Sequence, residues 1–568
     1  MRRSTAWVIF WLSMVVFGLL FLWPLGRVVV GGFWVNGEFT LTYLAGVFKN
    51  PIYAEGLRNS LMLGLGTTTI AVSIAVPLAW LANRYDFPGK GILSALLLVP
   101  MILPPFVGAI GFQQVLGQYG SLNAILNLGP IDWLGEGRYF GVIILQALAL
   151  YPIVYLNASA ALANVDPAME EAAENLGCSG FEKFRRITLP LIMPGLFAGG
   201  TIVFIWSFTE LGTPLIMNYT RCASVQVFDA LKEIGSNPFP YALVFVMLSC
   251  SVLLYAISKV MFGRNTYAMQ SKAAVTFTAT KVAGWHGALV AAPFVLVVLI
   301  ALTPHIAVIF TSFSAPGSWY GTVLPAELTT ENYAEALGHS MTVSSIKNSL
   351  AFSSMAVFFN MIFGIAIAFV VVRSTIPMRG LLDALSMIPL AVPGLVMAFG
   401  YLSLSSFASN LDWVKTSTMW TSVFDVRTNP TLFLVIAYAV RRLPYMVRSA
   451  VAGLQQTSVT LEESAANLGA SPLTTIRRVT LPLITANLIA GTLLAFAFSM
   501  LEVSDSLMLA QRADYYPITK TIYELFQLIG TGKYVASALG VWAMVFLAVT
   551  IIGSSLLLGK KLGAIFRV

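Results

Sequence analysis

Glu210 and Glu502 stand at matching places in two strongly apolar segments, Phe208-Thr209-Glu210-Leu211-Gly212 and Met500-Leu501-Glu502-Val503-Ser504, with Asp505 one turn beyond the second. An ionised side chain inside a membrane helix costs roughly 2.5–3.5 kcal/mol on insertion scales, so such groups tend to face a cavity or a partner. Facing a cavity, a pair of carboxylates would suit a hard cation, which takes oxygen ligands. The competing expectation is ordinary helix packing near the outer interface. Arg441 and Arg442, in Ala439-Val440-Arg441-Arg442-Leu443-Pro444, have no charged counterparts, because Ala149 and Leu150 hold the matching positions. They could contact an anionic substrate or pair with an acidic group. The preferred expectation places them toward the inner end of their helix, snorkelling to the inner surface.

No catalytic constellation competes with these charges. There is no His-Glu-x-x-His, no nucleophile motif and no G-x-x-x-x-G-K-[ST] loop, and Gly89-Lys90, Gly532-Lys533 and Gly559-Lys560 lack the required glycine spacing and the following Ser or Thr. The chain is therefore expected to be neither an enzyme nor an ATP binder. Cys178, Cys222 and Cys250 are far apart, fit no metal-ligand spacing and read as structural.

The elements that position these residues are membrane helices. Of 568 residues, 57% are hydrophobic and 10% charged, against about a quarter charged in a soluble domain. Apolar stretches of about twenty residues, enough to cross roughly 30 Å of hydrocarbon, recur throughout. They predict helices near 5–30, 58–83, 91–116, 139–164, 191–217 and 240–263, then 287–313, 346–372, 380–407, 430–455, 483–508 and 534–558. The first is too long for a signal-peptide core and has no small-residue cleavage site, so it reads as retained. Most Lys and Arg, including Arg185, Arg186, Arg477, Arg478, Lys560 and Lys561, fall on the side holding the N-terminus, which predicts cytoplasmic termini. That bias also accounts for the net charge of +8 without invoking nucleic acid.

The two sets of six are copies of one another. Asn59-Ser60-Leu61 recurs as Asn348-Ser349-Leu350; Arg84, Pro88, Lys90 and Gly91 recur as Arg373, Pro377, Arg379 and Gly380; Pro100, Pro104 and Gly111 recur as Pro389, Pro393 and Gly400. The offset is 289 throughout, and it becomes 292 from Pro152 and Pro444 onward. Polar and Pro residues holding one register cannot come from shared apolar composition. Copies with an even number of helices share one orientation, which predicts a pseudo-two-fold axis along the membrane normal and a path where the halves meet. The expected division is 1–263, a cytoplasmic linker at 264–286 with Arg264, Lys272 and Lys281, and 287–568.

Between the fourth and fifth helices lies Glu170-Glu171-Ala172-Ala173-Glu174-Asn175-Leu176-Gly177, followed after nine residues by Ile187-Thr188-Leu189-Pro190. The second copy reads Glu462-Glu463-Ser464-Ala465-Ala466-Asn467-Leu468-Gly469, then Val479-Thr480-Leu481-Pro482. Ala, Leu and Glu favour helix, glycine stops it, acidic groups suit its first turn and Pro suits the start of the next helix. A short acidic helix on the inner face is a shape that docks into a cleft on a soluble partner. This pattern resembles the cytoplasmic E-A-A loop of ABC importer permeases, carried by Glu171, Ala172, Ala173 and Gly177 and by Glu463, Ala465 and Gly469, with Ser464 and Val479 as small departures. The resemblance implies the type I ABC importer permease fold in a bacterial inner membrane, with the fifth helices lining the translocation path and Glu210, Glu502 and Asp505 facing it. It also implies two separate ATPase subunits holding ATP and Mg on the cytoplasmic face, and an extracytoplasmic substrate-binding protein.

The fused length, Asn-Ser-Leu at the second helix and Glu in the fifth look most like the ferric iron importer permeases. Fused permeases for 2-aminoethylphosphonate or similar organophosphates, and for thiamine, share the plan. A secondary transporter with six plus six helices is the rival class. Asp86 and Lys90 in the loop between helices two and three faintly suggest one, but the matching loop from Arg373 to Gly380 has no Asp.

Overall fold

A computed structural model describes residues 3–35, 37–102, 105–234, 237–262 and 279–557. Arg2, Pro104, Gly263, Arg264, Lys272, Lys560 and Lys561, and most of the linker predicted at 264–286, lie outside these. Among the described residues the chain is all-α apart from two small two-stranded pairings.

The first copy contributes α1 (Arg3–Phe33), α2 (Pro51–Arg84), α3 in two pieces (Lys90–Met101 and Pro105–Leu126), α4 (Tyr139–Ala163), α5 (Gly180–Phe208) and α6 (Phe239–Met261). The second contributes α7 (Gly284–Phe313), α8 (Ser340–Arg373), α9 in two pieces (Arg379–Ala391 and Gly394–Ala408), α10 (Thr431–Gln456), α11 (Pro472–Met500) and α12 (Gly532–Thr550). Nine of these are helices long and apolar enough to cross a membrane, and the bent pairs α3 and α9 make eleven. The twelfth expected span, α10, fails on composition because any 18-residue stretch of it contains Arg441, Arg442 and Arg448. In α9 the two pieces meet at 98°, at Val392-Pro393, where proline removes a backbone donor and disfavours helix at the preceding residue.

α4 is 72% buried and α1 only 28%, so α4 belongs to the centre and α1 to the lipid-facing rim. α4 packs against α2 and α5, and α10 packs in the same way against α8 and α11. The opening helix of each copy crosses over to the other copy. α7 lies along the second piece of α3, and the Trp23–Phe33 end of α1 lies along the second piece of α9.

Two repeated glycines make that crossing close. A Cβ on Gly111 would collide with the Pro304 carbonyl oxygen, and one on Gly400 would sit 2.9 Å from that of Pro24. The repeated Asn-Ser pair ties each second helix to the loop after the fifth. Ser60 Oγ accepts from Ala223 N–H at 2.9 Å and Ser349 Oγ from Ile518 N–H at 2.7 Å. Asn59 donates to the Arg221 carbonyl at 2.8 Å and Asn348 to that of Asp514 at 2.9 Å.

Candidate functional site

The two acidic loops fold alike. Pro167–Asn175 is a helix capped by Asp166, whose carboxylate accepts from Ala168 N–H at 3.0 Å, and Val459–Asn467 is capped by Ser458. Gly177 (φ +83°) and Gly469 (φ +85°) end them in the left-handed region that favours glycine. There the following amide reaches back to Ala173 O or Ala465 O at 3.0 Å, closing the turn that satisfies the last carbonyls.

The neighbouring glutamates in each loop have different roles. Glu170 turns inward to Arg84 at the end of α2 (3.2 Å) and accepts from Thr188 Oγ1 at 2.8 Å, while Glu462 meets Arg373 at the end of α8 at 3.1 Å. Glu171 and Glu463 are exposed, as is Ala172; Ala173 is buried and Ala465 half-buried. The first loop has a further pair, Lys183 with Glu174, and the Lys183 ammonium holds the Glu174 carboxyl below its ordinary pKa. Sequence reasoning noticed Arg84 and Arg373 as repeated residues but missed them as anchors. The signal available was a basic residue ending a membrane helix ahead of an acidic loop in both copies.

Around each anchored helix, three apolar side chains are left in the open. Leu176 is 85% and Leu468 89% exposed. Met169 and Phe181 accompany the first, and Leu461 and Leu473, their matches at offset 292, accompany the second.

The second constellation corrects the expectation of continuous fifth helices over 191–217 and 483–508. α5 ends at Phe208 and a short helix restarts at Gly212; α11 ends at Met500 and restarts at Ser504. Glu210 and Glu502 sit in the breaks. Glu210 accepts from Gly212 N–H (3.0 Å) and Thr213 N–H (2.8 Å), serving the unpaired amides that begin the short helix, with Gln146 Nε2 at 3.4 Å. The breaks abut across the copies, since a Cβ on Gly212 would lie 2.7 Å from Val503 Cγ1.

Arg441 and Arg442 do not snorkel. They lie mid-way along α10, and both pair with Glu502; Arg441 also reaches Asp505 at 3.2 Å and Arg442 donates to Phe498 O at 3.1 Å. All four charged groups are largely buried, and a buried charge holds its place only with a partner. The Arg441 guanidinium fills the space left by the missing side chain of Gly394, at the bend of α9. Glu502 and Asp505 are thus compensated by two arginines. Glu210 has no basic partner among the described residues.

A family model described as "Binding-protein-dependent transport system inner membrane component" matches residues 71–267 and again 360–559. The chain belongs to that family. Each match contains one acidic loop and one broken fifth helix, as a fused permease of two halves requires. The ferric transport system permease protein FbpB of Actinobacillus pleuropneumoniae is 27% identical over 482 residues, covering 81% of this permease and 64% of that relative. The Fe(3+)-transport system permease protein FbpB 2 of Haemophilus influenzae is 24% identical over 505 residues, covering 88% and 89%. This permease therefore spans just under two thirds of one relative and most of the other. The molybdenum transport system permease protein ModB of Escherichia coli K12 is 33% identical over 213 residues, which cover 91% of ModB but 35% of this permease. ModB is thus about one repeat long.

Proposed function

We propose that this multi-pass permease forms the translocation path of an ABC importer for ferric iron in a bacterial inner membrane, with both termini cytoplasmic. The halves 1–263 and 287–568 each dock one separate ATPase subunit, and an extracytoplasmic binding protein delivers the cargo. The observation that carries the coupling role is the doubled loop: a helix fixed to the membrane core by Glu170–Arg84 or Glu462–Arg373, with Leu176 or Leu468 almost wholly exposed. A rigid anchor below and a bare apolar crest above suit a lever that fits a partner's groove.

Alternating access follows. Closure of the ATPase pair moves the two loops together, and the force enters through Arg84 at the end of α2 and Arg373 at the end of α8. Each of those helices packs against the fifth helix of its own half, α5 or α11, whose broken end meets its counterpart. ATP and Mg belong to the partner subunits.

For the cargo, the support is charge. At the abutting breaks two arginines face Glu502 and Asp505, which leaves Glu210 as one uncompensated carboxylate. A surplus carboxyl group that a bound cation would pair supplies oxygen ligands and favours a hard cation over an anion. Among the described residues no cluster of three or more His, Cys, Asp or Glu could hold a metal ion, and conduction needs a site weak enough to leave. The names of the iron-transport relatives point the same way. The molybdenum relative keeps an oxyanion as the second reading, with Arg441 and Arg442 as its contacts; organophosphate and thiamine gain no observation. The test is uptake of radioactive ferric iron into vesicles holding the permease, its ATPase and its binding protein. Glu171→Ala with Glu463→Ala should abolish uptake while the chain still inserts, and Glu210→Gln should reduce it at least tenfold. Uptake on an ion gradient without ATPase would refute the importer assignment.

A further inference from the structure

A cavity of about 480 Å3 lies between the halves at the end of α4 away from the coupling loops, within the size range of small-ligand sites. Two consecutive glutamines of α3 each hold one cation at its wall. Gln113 Oε1 accepts from Arg138 Nη1 at 2.9 Å, and its amide nitrogen donates to Ile216 O at 2.7 Å. Gln114 Oε1 accepts from Lys533 Nζ at 3.3 Å, and its amide nitrogen donates to Trp319 O at 2.6 Å. Arg138 comes from the first half and Lys533 from the first turn of α12 in the second. Both are half-buried, and neither meets a carboxylate among the described residues. Asp132 also lines the cavity, but its carboxylate accepts from Leu134 N–H at 3.0 Å, turned onto its own loop. Among the described residues the lining keeps an excess of one positive charge.

Arg138 adopts φ +65°, a left-handed conformation that a non-glycine residue enters only against steric resistance. Its side chain is also fixed by the Met217 carbonyl at 3.3 Å. Strain retained at a lined cavity, where a residue's direction is over-determined, is a mark of a functional position. The stacked Tyr119 and Tyr320 rings, 4.4 Å apart, join the halves at the rim. The remaining Arg138 and Lys533 donors have no acceptor among the described residues, and a fork of guanidinium and ammonium is the set that recognises an oxyanion.

We propose that this cavity binds a small oxyanion, phosphate-like or carboxylate-like, which bridges Arg138 of the first half to Lys533 of the second and stabilises the closed arrangement of the halves at this end. The site is separate from the Glu210 path and does not depend on the cargo assignment. A ligand that binds only the closed arrangement shifts the population toward it.

The test uses the full chain in detergent and follows its unfolding temperature. One arm titrates inorganic phosphate at constant ionic strength set with chloride; the other adds phosphatidylglycerol, which carries the same group on a lipid. A saturable rise of a few degrees in either arm, kept in Glu210→Gln and Lys533→Arg and lost in Arg138→Gln with Lys533→Gln, is the expected result, and the responding arm names the source. No rise in either arm with the unaltered chain overturns the proposal, as does a rise that survives in the double variant. Unreduced iron uptake in Glu210→Gln with the phosphate response intact would be failure of the path alone, and reduced uptake without any phosphate response in the unaltered chain would be failure of this site alone.

Discussion

Glu210 and Glu502 share a register position and differ in what holds them. Glu502 anchors two buried arginines, so Glu502→Ala strands Arg442, leaves Arg441 with Asp505 alone, and should destabilise the protein by about 3–5 kcal/mol, read as loss of folded material in detergent. Glu210→Gln keeps one acceptor oxygen, enough for one of the Gly212 and Thr213 amides, and turns an NH2 toward the other, so it should cost about 1–2 kcal/mol, less than Glu502→Ala, while uptake falls. Equal destabilisation by the two changes would remove the distinction. Glu174 gives a pH expectation. Its carboxyl is depressed by Lys183, so the stabilising pair is present above the ordinary value of 4.5 and is lost as pH falls through the lowered one. Limited proteolysis of the 167–183 segment should be unchanged from neutral pH down to that ordinary value and increase only below it; greater cleavage at neutral pH would contradict the pairing. Sequence alone made these carboxylates visible, because charge in an apolar run is conspicuous. Their partners were hidden: the arginines of α10 are distant in the chain, and hydropathy pattern records burial without saying which buried groups meet.

At the scale of elements, the acidic loops were legible nearly whole, since capping, helix propensity and a terminal glycine are local signals. The breaks after α5 and α11 were not. Apolar runs read as continuous, and the available hints, Gly212-Thr213-Pro214 in one copy and the polar Glu502 to Ser506 in the other, were outweighed by the hydropathy around them. Gly177→Ala and Gly469→Ala should each cost about 1–2 kcal/mol of local helix-end stability, since alanine resists positive φ, and should weaken ATPase retention together more than singly. Copurification from membranes checks this; full retention in the double variant would mean the turn is dispensable.

The helix crossing is the feature that makes one molecule of two repeats. It was foreshadowed by Gly111 and Gly400 holding one register, but the identity of the crossing helix depends on long-range packing. Gly111→Ala must move the α7 backbone or α3, at about 1–3 kcal/mol as for other overpacked sites, whereas Gly18→Ala on α1, with nothing within 4 Å, should be tolerated. Thermal unfolding of both in the same detergent compares them, and equal behaviour would contradict the close crossing. Fusing both halves in one chain places both levers on every molecule, so the central claim reduces to a count. Native mass spectrometry of the permease purified with its ATPase should show two ATPase subunits per chain, one after Leu176→Asp or Leu468→Asp alone, and none after both. Two subunits retained in the double variant would contradict the account.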